Sequence, residues 1–221
     1  MDQTACSVGG FVNIDFKDPA NPVITPIDFD FASCGHSLCI VDTRASHADL
    51  TDEYGAIRSE MESAAGCFGK TALRDVDEKE FFENINIVRE KVSERAALRG
   101  LHFFGENNRV DRQTEALSKG DFEEFKKLVI ESGYSSYMYN QNVFSAKSPL
   151  NQPVSLALAV SEYILKGKGA WRVHGGGFAG TIQAFVPSDM LDVYKTEIEK
   201  VFGESACYVL NVRPVGGCEI S

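Results

Sequence analysis

A glycine-rich stretch near the carboxyl end of the chain most constrains what this sequence can fold into. Four glycines occupy six consecutive positions from 175 to 180, and the apolar run 182–186 follows. Glycine has no Cβ atom and adopts positive φ at little cost. The pattern therefore predicts a loop whose backbone N–H groups approach a phosphate or sugar oxygen. A tight turn between two strands explains it equally well, since the lysine and hydroxyl of a P-loop are absent. The candidate loop residues are His174, Gly175, Gly176, Gly177, Phe178 and Gly180.

The charge of the chain limits its partners. Its 221 residues include 32 acidic and 22 basic side chains, which give a formal net charge of −10. Nucleic-acid surfaces need clustered lysine and arginine, and anionic membranes also favour basic segments. No run approaches the roughly 20 apolar residues that span a bilayer, and the chain lacks the basic start of a secretory signal. We therefore expect a cytoplasmic protein that binds neither nucleic acid nor membrane.

The cysteines and histidines do not form a recognisable metal or hydrolase pattern. The cysteines are widely and irregularly spaced, without a Cys-x-x-Cys pair, so we expect reduced thiols and no metal site. A hydrolase triad is disfavoured because no serine or cysteine nucleophile pattern accompanies the separated histidines His36, His47 and His102. The cysteines are Cys6, Cys34, Cys39, Cys67, Cys207 and Cys218.

The order of predicted strands and helices favours an α+β fold, with an antiparallel sheet covered by helices on one face. The proline-rich segment 19–26 predicts an extended linker between two units, because proline and the residue before it resist helix. Predicted strands are 10–16, 36–42, 171–173, 182–186 and 207–212, and predicted helices are 2–8, 53–65, 78–84, 87–118 (as one or two helices), 154–165 and 189–202.

Two further segments have local signatures. Asp121 to Glu124 predicts a capping box, in which the aspartate accepts from first-turn amides and the glutamate reaches back. Phe122, Phe125 and Val129 then form an apolar stripe at helical spacing. The aromatic segment 133–139 predicts a packed turn between helices. Base stacking is the alternative, disfavoured because local basic charge is absent.

Several short motifs resemble galactokinases, which belong to the GHMP kinases. Met1-Asp2-Gln3 resembles the tripeptide that carries the catalytic carboxylate of that family, and the loop 175–180 resembles its late Gly-Gly-Gly-Phe-Gly-Gly sequence. Asp52-Glu53-Tyr54 followed by Arg58 is similar to the segment whose tyrosine lines the galactose pocket. Residues 117–122 resemble a recurring Leu-x-x-Gly-Asp junction. Nearly the whole chain aligns in order with the second half of the family.

The chain departs from the galactokinase pattern at four positions. His174 replaces the usual threonine, Ala179 a glycine, and Thr181 a cysteine, so the nucleotide-side contacts of the loop are in question. Ser132-Gly133 replaces a serine-histidine pair. The sugar motif and the serine-rich phosphate loop of the family's first half do not occur. The resemblance thus implies a carboxyl-terminal portion, with 1–32 a remnant of the amino-terminal lobe and 33–221 the GHMP kinase C-terminal domain.

The resemblance also implies roles for individual residues. Asp2 would accept the proton of the sugar hydroxyl. Without the resemblance, the favoured interpretation is a first-turn acid that stabilises a helix. Tyr54 would place a ring and a hydroxyl against the sugar, whereas its alternative is an amphipathic helix-surface tyrosine. His174 either donates a hydrogen bond to a phosphate or, as we favour, is a packed core histidine.

The resemblance implies part of an enzyme that phosphorylates galactose at C1 with ATP and Mg²⁺, neither of them held tightly by this chain. The chain alone is expected to be inactive without the amino-terminal lobe, and an exposed lobe interface is expected to favour self-association. Two alternatives stay open. One is another GHMP sugar kinase, and the other is a non-catalytic sugar-binding or interaction domain derived from a kinase.

Overall fold

A computed structural model describes residues 2–45, 50–178 and 180–217, with only the backbone of Asp2 included. Our expectations for Met1, His47, Ala179, Cys218 and the Asp2 side chain therefore lie outside the described part. Within these ranges, no helix has the length and apolarity needed to cross a membrane. The strands are β1 (Phe11–Asp15), β2 (Val23–Ile27), β3 (His36–Asp42), β4 (Ala170–Val173), β5 (Thr181–Pro187) and β6 (Cys207–Leu210). The α-helices are α1 (Asp2–Val8), α2 (Thr51–Gly66), α3 (Glu78–Glu83), α4 (Ile85–Lys91), α5 (Glu94–Ser118), α6 (Phe122–Ser135), α7 (Pro153–Leu165) and α8 (Leu191–Phe202).

A four-stranded antiparallel sheet, in the order β4-β5-β3-β6, is the centre of the fold. Alternate residues of each strand face opposite sides. Cys39 and Val41 of β3 belong to a core with α7 and α8, including Ala157 and Ile198. The predicted α+β class with an antiparallel sheet is confirmed.

Helices cover both faces of the sheet, and the expectation that they cover one face is wrong. Phe185 of β5 packs on the second face with Phe122 and Phe125 of α6. Leu38, paired with Phe185 across the strands, packs against the same cluster. Since alternate residues of the central strands are apolar on both sides, each face needs a covering layer.

The proline-rich segment is not wholly a linker, because it includes all but the last residue of β2, which pairs with β1 in a separate antiparallel ribbon. Pro26 lies opposite Val12 in this ribbon. Proline is tolerated there because β2 is an edge strand, where a missing N–H leaves no partner unsatisfied.

The beginning of α6 matches half of the predicted capping box. The Asp121 carboxylate accepts from the Glu124 N–H at 3.0 Å. The reciprocal bond is absent from this described turn because the Asp121 N–H already donates to the Ala116 carbonyl, and the Glu124 carboxylate pairs with Arg112. The predicted stripe Phe122, Phe125 and Val129 is buried.

The helices α2 to α5 form a layer with their own apolar core. The predicted segment 87–118 is two helices, because Ser93 adopts extended backbone and its Oγ caps α5 by accepting from the Ala96 N–H. Phe81, Val88 and Phe104 are buried in this core. The layer thus packs α2 against α5 and fixes one wall of the cleft described below.

The aromatic segment after α6 is less buried than expected. Ser136–Asn140 forms a π-helical turn. Tyr137 and Met138 are exposed by 40% and 53%, respectively, so the expectation of a packed turn is wrong for these side chains.

We expect Gly100→Ala to destabilise the protein. A Cβ at Gly100 would overlap the ring of Phe81, which is completely buried. Overpacking of a core typically costs about 1–3 kcal/mol of unfolding free energy. Urea unfolding followed by circular dichroism measures the loss.

Gly105→Ala in the same helix is the matched control, since its Cβ would meet only Arg109, at 3.7 Å. Alanine is favoured over glycine in a helix interior by about 1 kcal/mol, so this control should be neutral or stabilising. Equal stability of the two variants would contradict the packing argument.

Candidate functional site

A cleft of about 510 Å³ lies where the glycine-rich loop meets α2, α5 and the π-helical turn. Tyr54 from α2 and Gly175 and Gly176 from the loop line it together. The antiparallel pairing of β4 and β5 holds the loop at this position, with Val173 opposite Ile182. The tertiary structure therefore joins two predicted site segments that are more than a hundred residues apart in sequence.

Tyr54 makes direct contacts with the loop. Its hydroxyl donates to the Gly177 carbonyl at 2.8 Å. Its ring packs edge-on against Phe178, with the ring centroids 5.3 Å apart and an interplanar angle of 87°. The tyrosine is thus more than a helix-surface residue, since it holds the loop against α2 and still lines the cleft.

Glycine is favoured at different positions of the loop for different physical reasons. A Cβ at Gly176 would lie 2.7 Å from Tyr54 Cε1, and a Cβ at Gly177 would overlap the Asn142 carbonyl oxygen. At Gly175, by contrast, a Cβ would have open space, although its φ of +63° favours glycine. Close packing within the protein therefore requires Gly176 and Gly177, and of these three glycines Gly175 is the one with open space beside it.

Asn142 clamps the loop from the other side. Its carbonyl accepts from the Phe178 N–H at 2.5 Å, and its Nδ2 donates to the Gly176 carbonyl at 3.1 Å. The Oδ1 atoms of Asn142 and Asn140 are buried without a hydrogen-bond partner in the described chain, and both residues line the cleft. Such orphaned acceptors are rare in proteins and fit a site that takes hydroxyl donors.

Three arginines line the cleft, and each is engaged with a carboxylate. Arg58 pairs with Glu62, and Arg74 pairs with Asp15 of β1. Arg172 contacts Glu106 at 3.4 Å. Burial lowers the pKa of the Arg172 guanidinium, whereas the Glu106 charge acts in the opposite direction. The positive charge of the cleft is therefore largely neutralised within the protein.

A buried ion pair supports the cleft from behind. Arg99 is 1% exposed, and its guanidinium donates to Glu60 at 2.8 Å and to the Asn140 carbonyl at 3.1 Å. Because Glu60 is on α2 and Arg99 on α5, this network ties both helices to the π-helical turn. It fixes the position of Asn140 at the edge of the cleft.

His102, which also lines the cleft, is held neutral. Burial lowers the pKa of His102 to about 4, against an ordinary value of 6.5, although nearby Glu106 acts to raise it. Its Nδ1 lies 2.9 Å from the Ser135 Oγ. The side chain therefore serves as an uncharged hydrogen-bonding group at neutral pH.

The remaining predicted residues have varied positions. His174 is exposed, with Nδ1 3.1 Å from Gln183 Oε1, so the favoured interpretation of a packed core histidine is wrong. The Gly180 carbonyl accepts from both the N–H and the hydroxyl of Thr43. The backbone of Asp2 begins α1. Among residues with described side chains, no three His, Cys, Asp or Glu groups converge as a metal site.

Sequence reasoning missed the polar side of the cleft. Asn140, Asn142 and Arg172 have no motif of their own, and His102 entered only as an unpromising triad member. The Asn-x-Asn spacing after an aromatic segment was the one available signal. It could not be interpreted without knowing that the π-helical turn faces the loop.

No protein-family model matches the chain. Among curated proteins, a galactokinase from Streptomyces coelicolor is 30% identical over 207 residues, covering 91% of this chain and 49% of that protein. A galactokinase from Glaesserella parasuis is 30% identical over 195 residues, covering 88% of this chain and 48% of its own length. This chain is related to the carboxyl-terminal half of galactokinases. It spans about half the length of the curated relatives that it matches.

Solved structures agree in fold. A crystal structure of Lactococcus lactis galactokinase complexed with galactose has a TM-score of 0.70 at 19% identity, covering 96% of this chain and 54% of that chain. An L. major mevalonate kinase in complex with R-mevalonate has a TM-score of 0.58 at 16% identity, covering 98% and 53%. The predicted galactokinase relationship and GHMP kinase fold are confirmed.

We expect the pKa of His102 to make stability depend on pH. Between pH 6.5 and 4 the unfolded chain binds a proton at this histidine that the folded chain does not, so stability falls as the pH falls. With these pKa values the loss from pH 7 to pH 5 is about 2 kcal/mol. Urea unfolding at both pH values gives the measurement.

Other groups also titrate over this range, so the comparison is with His102→Asn, which keeps a hydrogen-bonding group near Ser135 but does not titrate. From pH 7 to pH 5, the free energy of unfolding of the natural chain should fall by about 2 kcal/mol more than that of the variant. Parallel pH profiles of the two proteins would show that His102 is not held neutral by folding.

Proposed function

We propose that this chain is the sugar-binding, carboxyl-terminal part of a galactokinase-like kinase that phosphorylates galactose at its C1 hydroxyl. The observation that carries the proposal is the meeting of Tyr54 with the glycine-rich loop at one cleft, joined by the hydrogen bond to Gly177. These are two of the segments by which the chain resembles galactokinases. Relatives named galactokinase, matched over about 90% of this chain, support the same conclusion.

The polar groups of the cleft fit a neutral polyol. The orphaned amide oxygens of Asn140 and Asn142 accept from hydroxyl groups, and the uncharged His102 adds another hydrogen-bonding group. A ring such as that of Tyr54 presents an apolar face to the C–H side of a sugar. A galactose-sized ligand is therefore the class of molecule that we assign to the cleft.

The same residues do not by themselves fit a nucleoside triphosphate. The arginines of the cleft are already paired with carboxylates, and two loop glycines are packed against Tyr54 and Asn142. We propose that ATP and Mg²⁺ serve the complete kinase as phosphoryl donor and counter-ion, held mainly by an amino-terminal lobe. The proposed division is 1–32 as part of that lobe and 33–221 as the C-terminal domain.

We further propose Asp2 as the group that accepts the proton of the sugar hydroxyl. Phosphoryl transfer needs chiefly positioning and charge stabilisation, and a carboxylate near the hydroxyl removes its proton as the new bond forms. Tyr54 would position the sugar instead of taking part in proton transfer. The two side chains should therefore have different kinetic signatures.

The test uses a chimera in which the amino-terminal half of the Streptomyces coelicolor relative precedes residue 1. With galactose and Mg-ATP, Asp2→Asn should lower kcat by about 10²–10⁴-fold with little change in affinity. Tyr54→Phe should chiefly raise KM, consistent with a lost hydrogen bond of about 0.5–1.5 kcal/mol. A coupled assay of ADP release measures kcat and KM for both variants.

The unextended chain is the control and should give no turnover above a protein-free blank. Turnover by this chain that Asp2→Asn abolished would contradict the need for a further lobe. If the chimera phosphorylated galactose and Asp2→Asn left kcat within a few-fold, with chemistry rate-limiting, the role of Asp2 would be rejected.

We also propose that the chain alone self-associates through the β1–β2 ribbon. Val23 and Ile24 of the edge strand β2 are 64% and 41% exposed, and Phe16 beside them is 43% exposed. Exposed apolar strands pair with other chains. Sedimentation velocity should show association that grows with concentration and weakens in Ile24→Lys. A strict monomer at all concentrations would refute this.

A further inference from the structure

A second pocket, of about 260 Å³, lies between the end of α6, the π-helical turn and α7. It has no lining residue in common with the cleft. Trp171 of β4 and Leu158 of α7 contribute to its wall, together with Tyr134, Tyr137 and Met138. An apolar cavity of about 150 Å³ holds a benzene molecule, so this pocket has room for one aromatic ring and a short substituent.

The rim residues of this pocket are not part of the core, whereas Trp171 is. Tyr134 is 45% exposed and Met138 is 53% exposed, whereas Trp171 is only 6% exposed. The tryptophan thus lies at the inner end, and the tyrosine and methionine form an outer rim. A cluster of large apolar side chains left at a surface is typical of a binding site. The π-helical turn that carries the rim is an element often found at functional sites.

One carboxylate gives the pocket a charge preference. Glu162 of α7 lines it, accepts from the Tyr134 hydroxyl at 3.3 Å and forms an i,i+4 ion pair with Lys166 at 3.4 Å. The Lys166 side chain is 78% exposed, and such surface pairs are weak, so a ligand ammonium competes with it for the carboxylate. A carboxylate offers about four acceptor sites, so capacity for an additional donor remains. Aromatic rings beside it attract cations, and the net charge of −10 favours their approach.

Ser155 adds a second polar group to the wall. Its Oγ is buried and has no hydrogen-bond partner among the residues that the structure describes. Buried hydroxyls usually have a partner, so the wall is suited to a ligand that is not purely hydrocarbon.

Gly133 sets how closely two walls of the pocket approach each other. A Cβ at this position would lie 3.1 Å from Arg172 Cβ and 3.2 Å from the Trp171 carbonyl oxygen, so α6 approaches β4 this closely because the residue is glycine. A larger side chain would have to move α6 or β4, both of which form the wall. The shape of the pocket therefore depends on glycine at this position.

We propose that this pocket binds a small aromatic amine, with the ring between Trp171 and the tyrosine rim and the ammonium group on Glu162.

The test uses 2-phenylethylamine as the probe and the fluorescence of Trp171 as the signal. Trp171 is the only tryptophan of the chain and lines the pocket, so its emission reports on this site alone. The amine should change the emission saturably. The neutral analogue 2-phenylethanol should bind at least about five-fold more weakly, because it lacks the charge that meets Glu162.

Three variants separate the ring contact from the charge contact. Glu162→Gln should bring the affinity for the amine down to that for the alcohol. Glu197→Gln, on α8 and paired with Lys200 in an exposed helix contact, is the matched control and should leave both affinities unchanged. Ala159→Phe places a ring at an exposed lining position and should lower the affinity for both probes at least about ten-fold.

The proposal is overturned if the amine does not change Trp171 emission saturably, or if amine and alcohol bind the natural chain equally. It is also overturned if Glu162→Gln retains the preference for the amine, since the carboxylate would then not be its origin. Circular dichroism of each variant establishes that it is folded. None of these outcomes depends on sugar binding or kinase activity.

Discussion

The contact between the glycine-rich loop and α2 is the constraint on which the cleft depends. Tyr54 donates to the Gly177 carbonyl, and Asn142 binds the same loop from the opposite side. This double contact is possible only because residues 176 and 177 lack a Cβ. The loop is therefore held rigidly by packing, and its open side faces the cleft at Gly175.

The architecture behind this contact has two layers, which meet where α5 packs against α6. The sheet and its helices position the loop, and the α2–α5 layer positions Tyr54. The buried pair of Arg99 and Glu60 joins α5 to α2 and also holds the Asn140 carbonyl. A buried charge pair contributes little net stability but is costly to break, so it fixes the geometry of neighbouring groups.

The two cavities differ in the charged and polar groups that line them, and so in the ligands that we propose for them. In the cleft, paired arginines and orphaned amide oxygens favour a neutral polyol. In the second pocket, Glu162 stands beside aromatic rings and favours a cation. The two proposed sites therefore suit chemically different molecules, and they have no lining residue in common.

The sequence by itself determined the class of the fold, the principal strands and helices and the relationship to galactokinases, because these depend on local periodicity and on short motifs. It also predicted a site at Tyr54 and the glycine-rich loop, which stays a prediction. It did not determine the second helical face of the sheet, the strand Val23–Ile27 or the exposure of His174, because these depend on which surfaces meet. Only the tertiary structure decided that Asn140, Asn142 and Arg172 share the cleft with Tyr54. Tyr54, the Asn140–Asn142 pair and Arg172 are far apart in sequence, and the pairing of β4 with β5 and the packing of α2 on α5 bring them together.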